Sequence, residues 1–229
     1  MKHIKFIATL LLLASTMPIL QSCLNDDDDD TYNIQYPSAI VTVKNEVGKL
    51  VLQLDDSTKL YPSNMTKSPY GDKEVRALVN YNKVNGDNKN SVYINWIDSI
   101  RTKAMVADLG SSNDEKYGND PLEIVKDWVT VVEDGYLTLQ FRTYFGNQTT
   151  HELNLVKGSN PYEVVLHHNA KGDKNGILKD GLIAFSLDSL PDTEGKTVDL
   201  TVKWNSFSGE KTAKFKYRSR QTSYLFGAK

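Results

Sequence analysis

Three of the four histidines, His151, His167 and His168, fall in the second half of the chain. Imidazole is the commonest metal ligand and the usual proton carrier near neutral pH. Adjacent residues of a strand point to opposite faces, so His167 and His168 cannot grip one ion if their segment is extended. A metal site would need His151 to meet one of that pair, with a carboxylate such as Asp173 beside them. Histidines hydrogen-bonded to strand ends or loops are the simpler expectation, and no metal is assigned. Serine hydrolysis lacks its strained nucleophile turn, because no Gly-x-Ser-x-Gly occurs. Neither a phosphate-binding Gly-x-x-x-x-Gly-Lys-Ser/Thr loop nor a Gly-x-Gly-x-x-Gly turn is present. Asp55 and Asp56 form a carboxylate pair, but they sit at an expected turn, where such groups are solvated; glycoside hydrolysis therefore has little support. No catalytic residue and no cofactor is assigned, and a hydrolase built from scattered Asp, Glu and His is the weaker alternative.

Aromatic and basic residues suggest binding instead. Tyr93 and Tyr144 fall on the outward parity of their strands, and Tyr61, Tyr70 and Tyr162 fall near loops. Exposed rings of this kind stack on sugars or bases, although an isolated strand Tyr often serves cross-strand packing. Lys203, Lys214, Lys216 and Arg218 share one face of the last hairpin. That face reads as a solvated strand protected against edge pairing, or as a patch for an anionic polymer or acidic partner.

The elements that position these residues are strands. Period-2 alternation dominates: Leu50, Leu52 and Leu54; Val75, Ala77, Val79 and Tyr81; Val92, Ile94 and Trp96; Leu137, Leu139, Phe141 and Phe145; Val198, Leu200, Val202 and Trp204; Ala213, Phe215 and Tyr217. Each series places an apolar face toward a core and residues such as Arg76, Thr138 and Lys203 on a mostly polar face toward water. Glu46-Val47-Gly48-Lys49, Asn85-Gly86-Asp87, Glu133-Asp134-Gly135 and Ser208-Gly209 read as hairpin turns. Pro62 and Pro69 bracket a loop. One stretch, Pro121 to Lys126, reads as a single helical turn. The polar segment Ser111–Pro121 is the best domain boundary. About five strands before it suit a small OB-like barrel. About seven after it suit an immunoglobulin-like β-sandwich. The expectation is an all-β chain with an OB-like β-barrel domain at 36–112 and a β-sandwich domain at 113–229.

The N-terminus reads as a targeting segment. Lys2 and Lys5 precede an apolar run, Phe6 to Leu13, too short for the ~20 residues that span a bilayer. Leu20-Gln21-Ser22-Cys23 then forms a lipobox, and Cys23 is the chain's one cysteine. The expectation is a signal peptide at 1–22, cleaved to leave Cys23 as a lipidated N-terminus. Two or three acyl chains would anchor the protein to a membrane, where one alone is marginal. Residues 23–35 form an acidic tether. Asp26, Asp27, Asp28, Asp29 and Asp30 repel one another and cannot be buried; they resemble the surface-export signal of lipoproteins in one phylum of Gram-negative anaerobes. Asp56-Ser57-Thr58, Asp98-Ser99-Ile100 and Asp188-Ser189-Leu190 resemble the O-glycosylation sequon of exported proteins in the same group, which makes Ser57, Ser99 and Ser189 candidate modification sites. Of 27 basic residues, removal of Lys2 and Lys5 leaves 25 against 29 acidic ones. Without the five-Asp run the remainder is near neutral, so nucleic acid is not an expected partner.

The residues also carry a family likeness. Trp128, the run Val132-Glu133-Asp134-Gly135-Tyr136-Leu137-Thr138-Leu139, His151-Glu152-Leu153-Asn154-Leu155-Val156 and Leu166-His167-His168-Asn169 resemble the NigD-like lipoproteins. The resemblance is strongest in the second half. It implies an N-terminal OB-type domain, a C-terminal β-sandwich, and a role associated with bacteriocin immunity through gene neighbourhood. It supplies no catalytic residues. The reading is therefore a non-catalytic outer-membrane lipoprotein facing the cell surface, held by its lipid anchor. Its expected partner is a glycan or an envelope protein, the glycan case being an accessory role in polysaccharide uptake.

Overall fold

The computed structural model describes residues 36–85, 88–146 and 149–220. Five strands close a barrel in the order β1-β2-β3-β5-β4: β1 (Ala39–Glu46), β2 (Lys49–Gln53), β3 (Lys59–Pro62), β4 (Val75–Lys83) and β5 (Ser91–Ser99). Closure leaves no free edge. Val41, Val43, Leu52, Ala77, Val79 and Val92 fill the interior. The β1–β2 turn is the two-residue hairpin read from Val47-Gly48, with both residues at positive φ.

The remaining strands are β6 (Thr102–Ala104), β7 (Glu123–Val125), β8 (Val131–Glu133), β9 (Tyr136–Phe145), β10 (Glu152–Lys157), β11 (Glu163–Asn169), β12 (Ile177–Ser186), β13 (Val198–Ser206) and β14 (Gly209–Tyr217). They form two sheets, β10-β11-β13-β14 and β6-β12-β9-β7, with β8 also paired to β9. Leu137, Leu139, Leu155, Val164, Phe185 and Leu200 pack between the sheets, each fully buried. Burying one such side chain stabilises the fold by about 1.5–3 kcal/mol.

In its elements and their bounds the structure departs from the sequence expectation at three points. Pro121–Lys126 is not helical. Glu123–Val125 pairs with Arg142, Phe141 and Gln140 of β9, because a single turn cannot repay helix nucleation when a ladder is available. The α-helix lies instead inside the polar segment, as α1 (Asn113–Tyr117). Gly118 ends it at φ 83°, where an added Cβ would sit 2.5 Å from the His168 carbonyl oxygen. Finally, the sandwich begins before residue 113, since Thr102–Ala104 already pairs with Ala184–Ser186 of β12.

Barrel and sandwich meet through polar side chains, two of which, Arg76 and Thr138, lie on the parity that alternation assigns to water. Arg76 is fully buried, as are Thr42 and Thr138. Its guanidinium donates to Thr42 Oγ1 at 3.1 Å, to Thr138 Oγ1 at 3.3 Å and to Glu133 Oε2 at 3.3 Å. Burial lowers the Arg76 pKa and raises that of Glu133, while their attraction opposes both shifts. An arginine still keeps its charge. The Asp134-Gly135 turn, with φ of 46° and 71°, inserts beside this pair. Asp134 meets Lys44 at 2.8 Å and Arg220 at 3.1 Å. Tyr136 Oη donates to Glu74 at 2.7 Å, and Arg220 lies over the Tyr136 ring. Ile40, Ile100, Val129 and Ala184 add an apolar patch to the junction.

Candidate binding cleft

The histidines come together partly as the metal hypothesis required. β10 and β11 are neighbours in one sheet, with Leu153 opposite His168, so His151 approaches His168 along the sheet and not across the sandwich. His151 Nδ1 lies 2.9 Å from His168 Nε2, and His151 Nε2 lies 3.4 Å from Asp173 Oδ2. All three side chains are buried. His168 Nδ1 faces the Asp120 carbonyl at 3.2 Å. That oxygen only accepts, which fixes a proton on His168 Nδ1 and leaves Nε2 to accept from His151. The facing nitrogens are engaged with each other, and the three groups form a hydrogen-bonded chain. Burial lowers the His168 pKa, and the neighbouring His151 lowers it further. Asp173 also accepts the Gly146 N–H at 2.9 Å, so the chain ties the β9–β10 and β11–β12 connections together. His167 points the other way, to the Gly118 carbonyl at 2.9 Å.

A cleft of about 450 Å³ at the junction is lined by Lys44, Glu46, Asp56, Lys59, Asp134, Arg218 and Arg220. Its charges are matched internally: Lys59 pairs with Glu46, Lys44 and Arg220 with Asp134, and Arg218 with Asp56. Glu74, just outside the lining, takes the second contact of Arg220, so each of the four cations has a carboxylate partner within the fold.

A second cleft, of about 660 Å³, is built differently. β9 spans ten residues, but its outer neighbour is broken into β7 and β8 by the segment 126–130. Thr130 pins that break. Its Oγ1 donates to the Val125 carbonyl at 2.6 Å and accepts the Gln140 N–H at 3.1 Å, replacing a ladder bond. Val129 drives inward to the junction patch. Its neighbour Trp128 therefore points outward and is 50% exposed. Facing this loop is β14, the edge of the other sheet. Trp128, Trp204, Phe215, Thr212, Lys126 and Lys214 line the cleft between them. The Trp204 indole Nε1 is buried and has no hydrogen-bond partner among the described residues. A buried unpaired donor costs about 1–3 kcal/mol.

The other sequence candidates are dispersed. Tyr61 and Tyr93 are exposed on the barrel, on the neighbouring strands β3 and β5. Tyr144 packs edge-on against Phe207, and Tyr162 bonds the Asp192 carbonyl. Tyr70 is half-buried. The basic face of the last hairpin exists, but Lys203 pairs with Glu163, Lys216 with Asp199 and Arg218 with Asp56. Ser57, Ser99 and Ser189 are all exposed. Cys23 and the Asp26–Asp30 run lie outside the described residues. Trp128 and Trp204 were not singled out as a binding pair. The available signal was a Trp inside the polar Lys126-Asp127-Trp128 segment, outside any alternating series.

A closed five-stranded barrel joined to an open-edged β-sandwich defines a two-domain all-β protein of the OB-plus-sandwich class. Residues 40–100 match the NigD-like N-terminal OB domain, and residues 104–217 match the NigD-like C-terminal beta sandwich domain. The chain belongs to the NigD-like family. It is similar to a crystal structure from Parabacteroides distasonis, provisionally described as toxin-related, at 36% identity and a TM-score of 0.69, covering 79% of this chain and 92% of that one. A protein of unknown function from Bacteroides vulgatus matches at 25% identity and a TM-score of 0.63, over 78% and 89% of the two chains. A NigD-like immunity protein from Bacteroides caccae shares the fold at 19% identity and a TM-score of 0.58, over 79% and 96%. No curated protein matches the sequence.

Proposed function

We propose that this protein is a non-catalytic, lipid-anchored binding module of the outer membrane, facing the cell surface, and that the Trp128 cleft is its saccharide-contact site. One observation carries the reading: a half-exposed Trp128 lines one cleft with Trp204 and Phe215. An indole face packs on the C–H face of a sugar ring. The cleft's volume lies within the ~300–1,000 Å³ usual for small-ligand sites. The anchor rests on the lipobox at Cys23, and the surface address on Asp26–Asp30. Labelled palmitate is expected in the wild-type protein and absent from Cys23→Ser. Surface polysaccharide from the producing cells is expected to quench tryptophan fluorescence of the wild type; an identical response from Trp128→Ala would remove the cleft from the account.

A second reading is bacteriocin immunity, favoured by the description of the Bacteroides caccae relative as a NigD-like immunity protein. It expects deletion to sensitise the cell to its own bacteriocin, and unchanged sensitivity rejects it. Ser57, Ser99 and Ser189 are proposed as O-glycosylation sites on their exposure and sequon. A native mass equal to polypeptide plus lipid would exclude modification.

A further inference from the structure

We infer that the Trp128 cleft selects an acidic saccharide, one whose ring carries a carboxylate or sulfate; this rests on the saccharide reading of the same cleft. The observation behind it is a local imbalance of charge. Around the cleft three ammonium groups are matched: Lys211 sits 2.9 Å from Glu123, Lys216 2.7 Å from Asp199 and Lys203 3.1 Å from Glu163. Lys126 and Lys214 are the two lysines that line the cleft, and neither has an ion-pair partner among the described residues. The cleft's one acidic residue, Asp127, already accepts the Trp128 backbone N–H at 2.6 Å. The net character is cationic beside an aromatic face, which suits a sugar ring that offers a C–H face and carries a negative group.

The edges favour a sugar over an acidic peptide strand. Adding a strand needs a straight free edge. One neighbouring edge is broken at 126–130, and β14 carries exposed Lys211, Lys214 and Lys216, the kind of residue that discourages edge pairing.

The test uses the full lipidated protein in detergent, titrated with digalacturonate and with the neutral galactose disaccharide of the same linkage, at low and at high salt. The acidic sugar is expected to bind at least about tenfold tighter, with that advantage shrinking as salt screens it. Lys126→Gln/Lys214→Gln is expected to lose the preference. Trp128→Ala is expected to lose binding of both sugars at an unchanged melting temperature, and Trp128→Tyr to recover part of it. Equal affinity for the two sugars overturns the acidic assignment and leaves the saccharide site standing. No binding of either sugar by protein that melts normally overturns both. Tighter binding of a poly-glutamate peptide than of digalacturonate overturns the choice of a sugar.

Discussion

The junction of barrel and sandwich and the open edge of the sandwich are made from similar residues used in opposite ways. At the junction Arg76, Lys44 and Arg220 meet Glu133, Asp134 and Glu74, and the hydroxyls of Thr42, Thr138 and Tyr136 complete the network. At the edge, Lys126 and Lys214 lack ion-pair partners among the described residues, and half of Trp128 is exposed. Desolvated charges must be matched within the fold or they destabilise it. Groups at a rim can wait for a ligand because water serves them meanwhile. The difference teaches which polar residues hold the molecule together and which are available to a partner.

The largest expected effect is at the junction. Arg76→Ala leaves Glu133 and two buried threonines without their donor and is expected to cost about 3 kcal/mol or more, read from chemical denaturation. A loss below about 0.5 kcal/mol would mean that the junction is not what stabilises the fold. Next, Gly135→Ala places a Cβ at φ 71° and 2.9 Å from the Arg220 side chain. It is expected to cost about 1–2 kcal/mol while leaving the edge cleft's binding intact. Loss of binding without loss of stability would reverse the assignment of the two regions.

The buried histidine chain gives a pH-dependent effect. Burial lowers the His168 pKa below its ordinary value, with His151 and Asp173 on one side and the Asp120 carbonyl and its Lys174-paired carboxylate on the other. Its contribution is fully present above the unfolded imidazole pKa of about 6.5. As pH falls below that value, the unfolded chain takes up a proton that folded His168 refuses. Stability should decline by up to about 1.4 kcal/mol per pH unit, and His168→Gln should flatten the profile just below about pH 6.5. A wild-type profile flat over that range would show that the chain charges without penalty. The smallest expected stability effect is at the edge. Trp128→Ala should change stability by less than about 0.5 kcal/mol; a larger loss would make Trp128 a packing residue.

Much of the fold was legible because it is local. Gly48, Asp134 and Gly135 accept the positive φ that the two hairpin turns need, and the pairs Glu46–Lys49 and Glu133–Tyr136 follow. His167 and His168 diverge as strand parity requires. The misread stretch, Pro121–Lys126, was decided by a remote partner, since β9 supplies the ladder that makes it a strand. The segment around Trp128 was equally opaque, because its outward aim follows from Val129 reaching Ile40 and Ile100, near the ends of the barrel strands.

The sequence by itself determined the all-β class, the turns, the apolar face of each strand and the family pattern centred on Glu133-Asp134-Gly135-Tyr136. Only the tertiary structure decided that Arg76, Thr42 and Thr138, polar residues opposite the apolar parity, are buried. It also decided that His151 meets His168, and that Trp128 and Trp204 line one cleft. The physical reason is that a two-residue period states which side chains share a face, whereas what lies against that face depends on how distant strands are brought together.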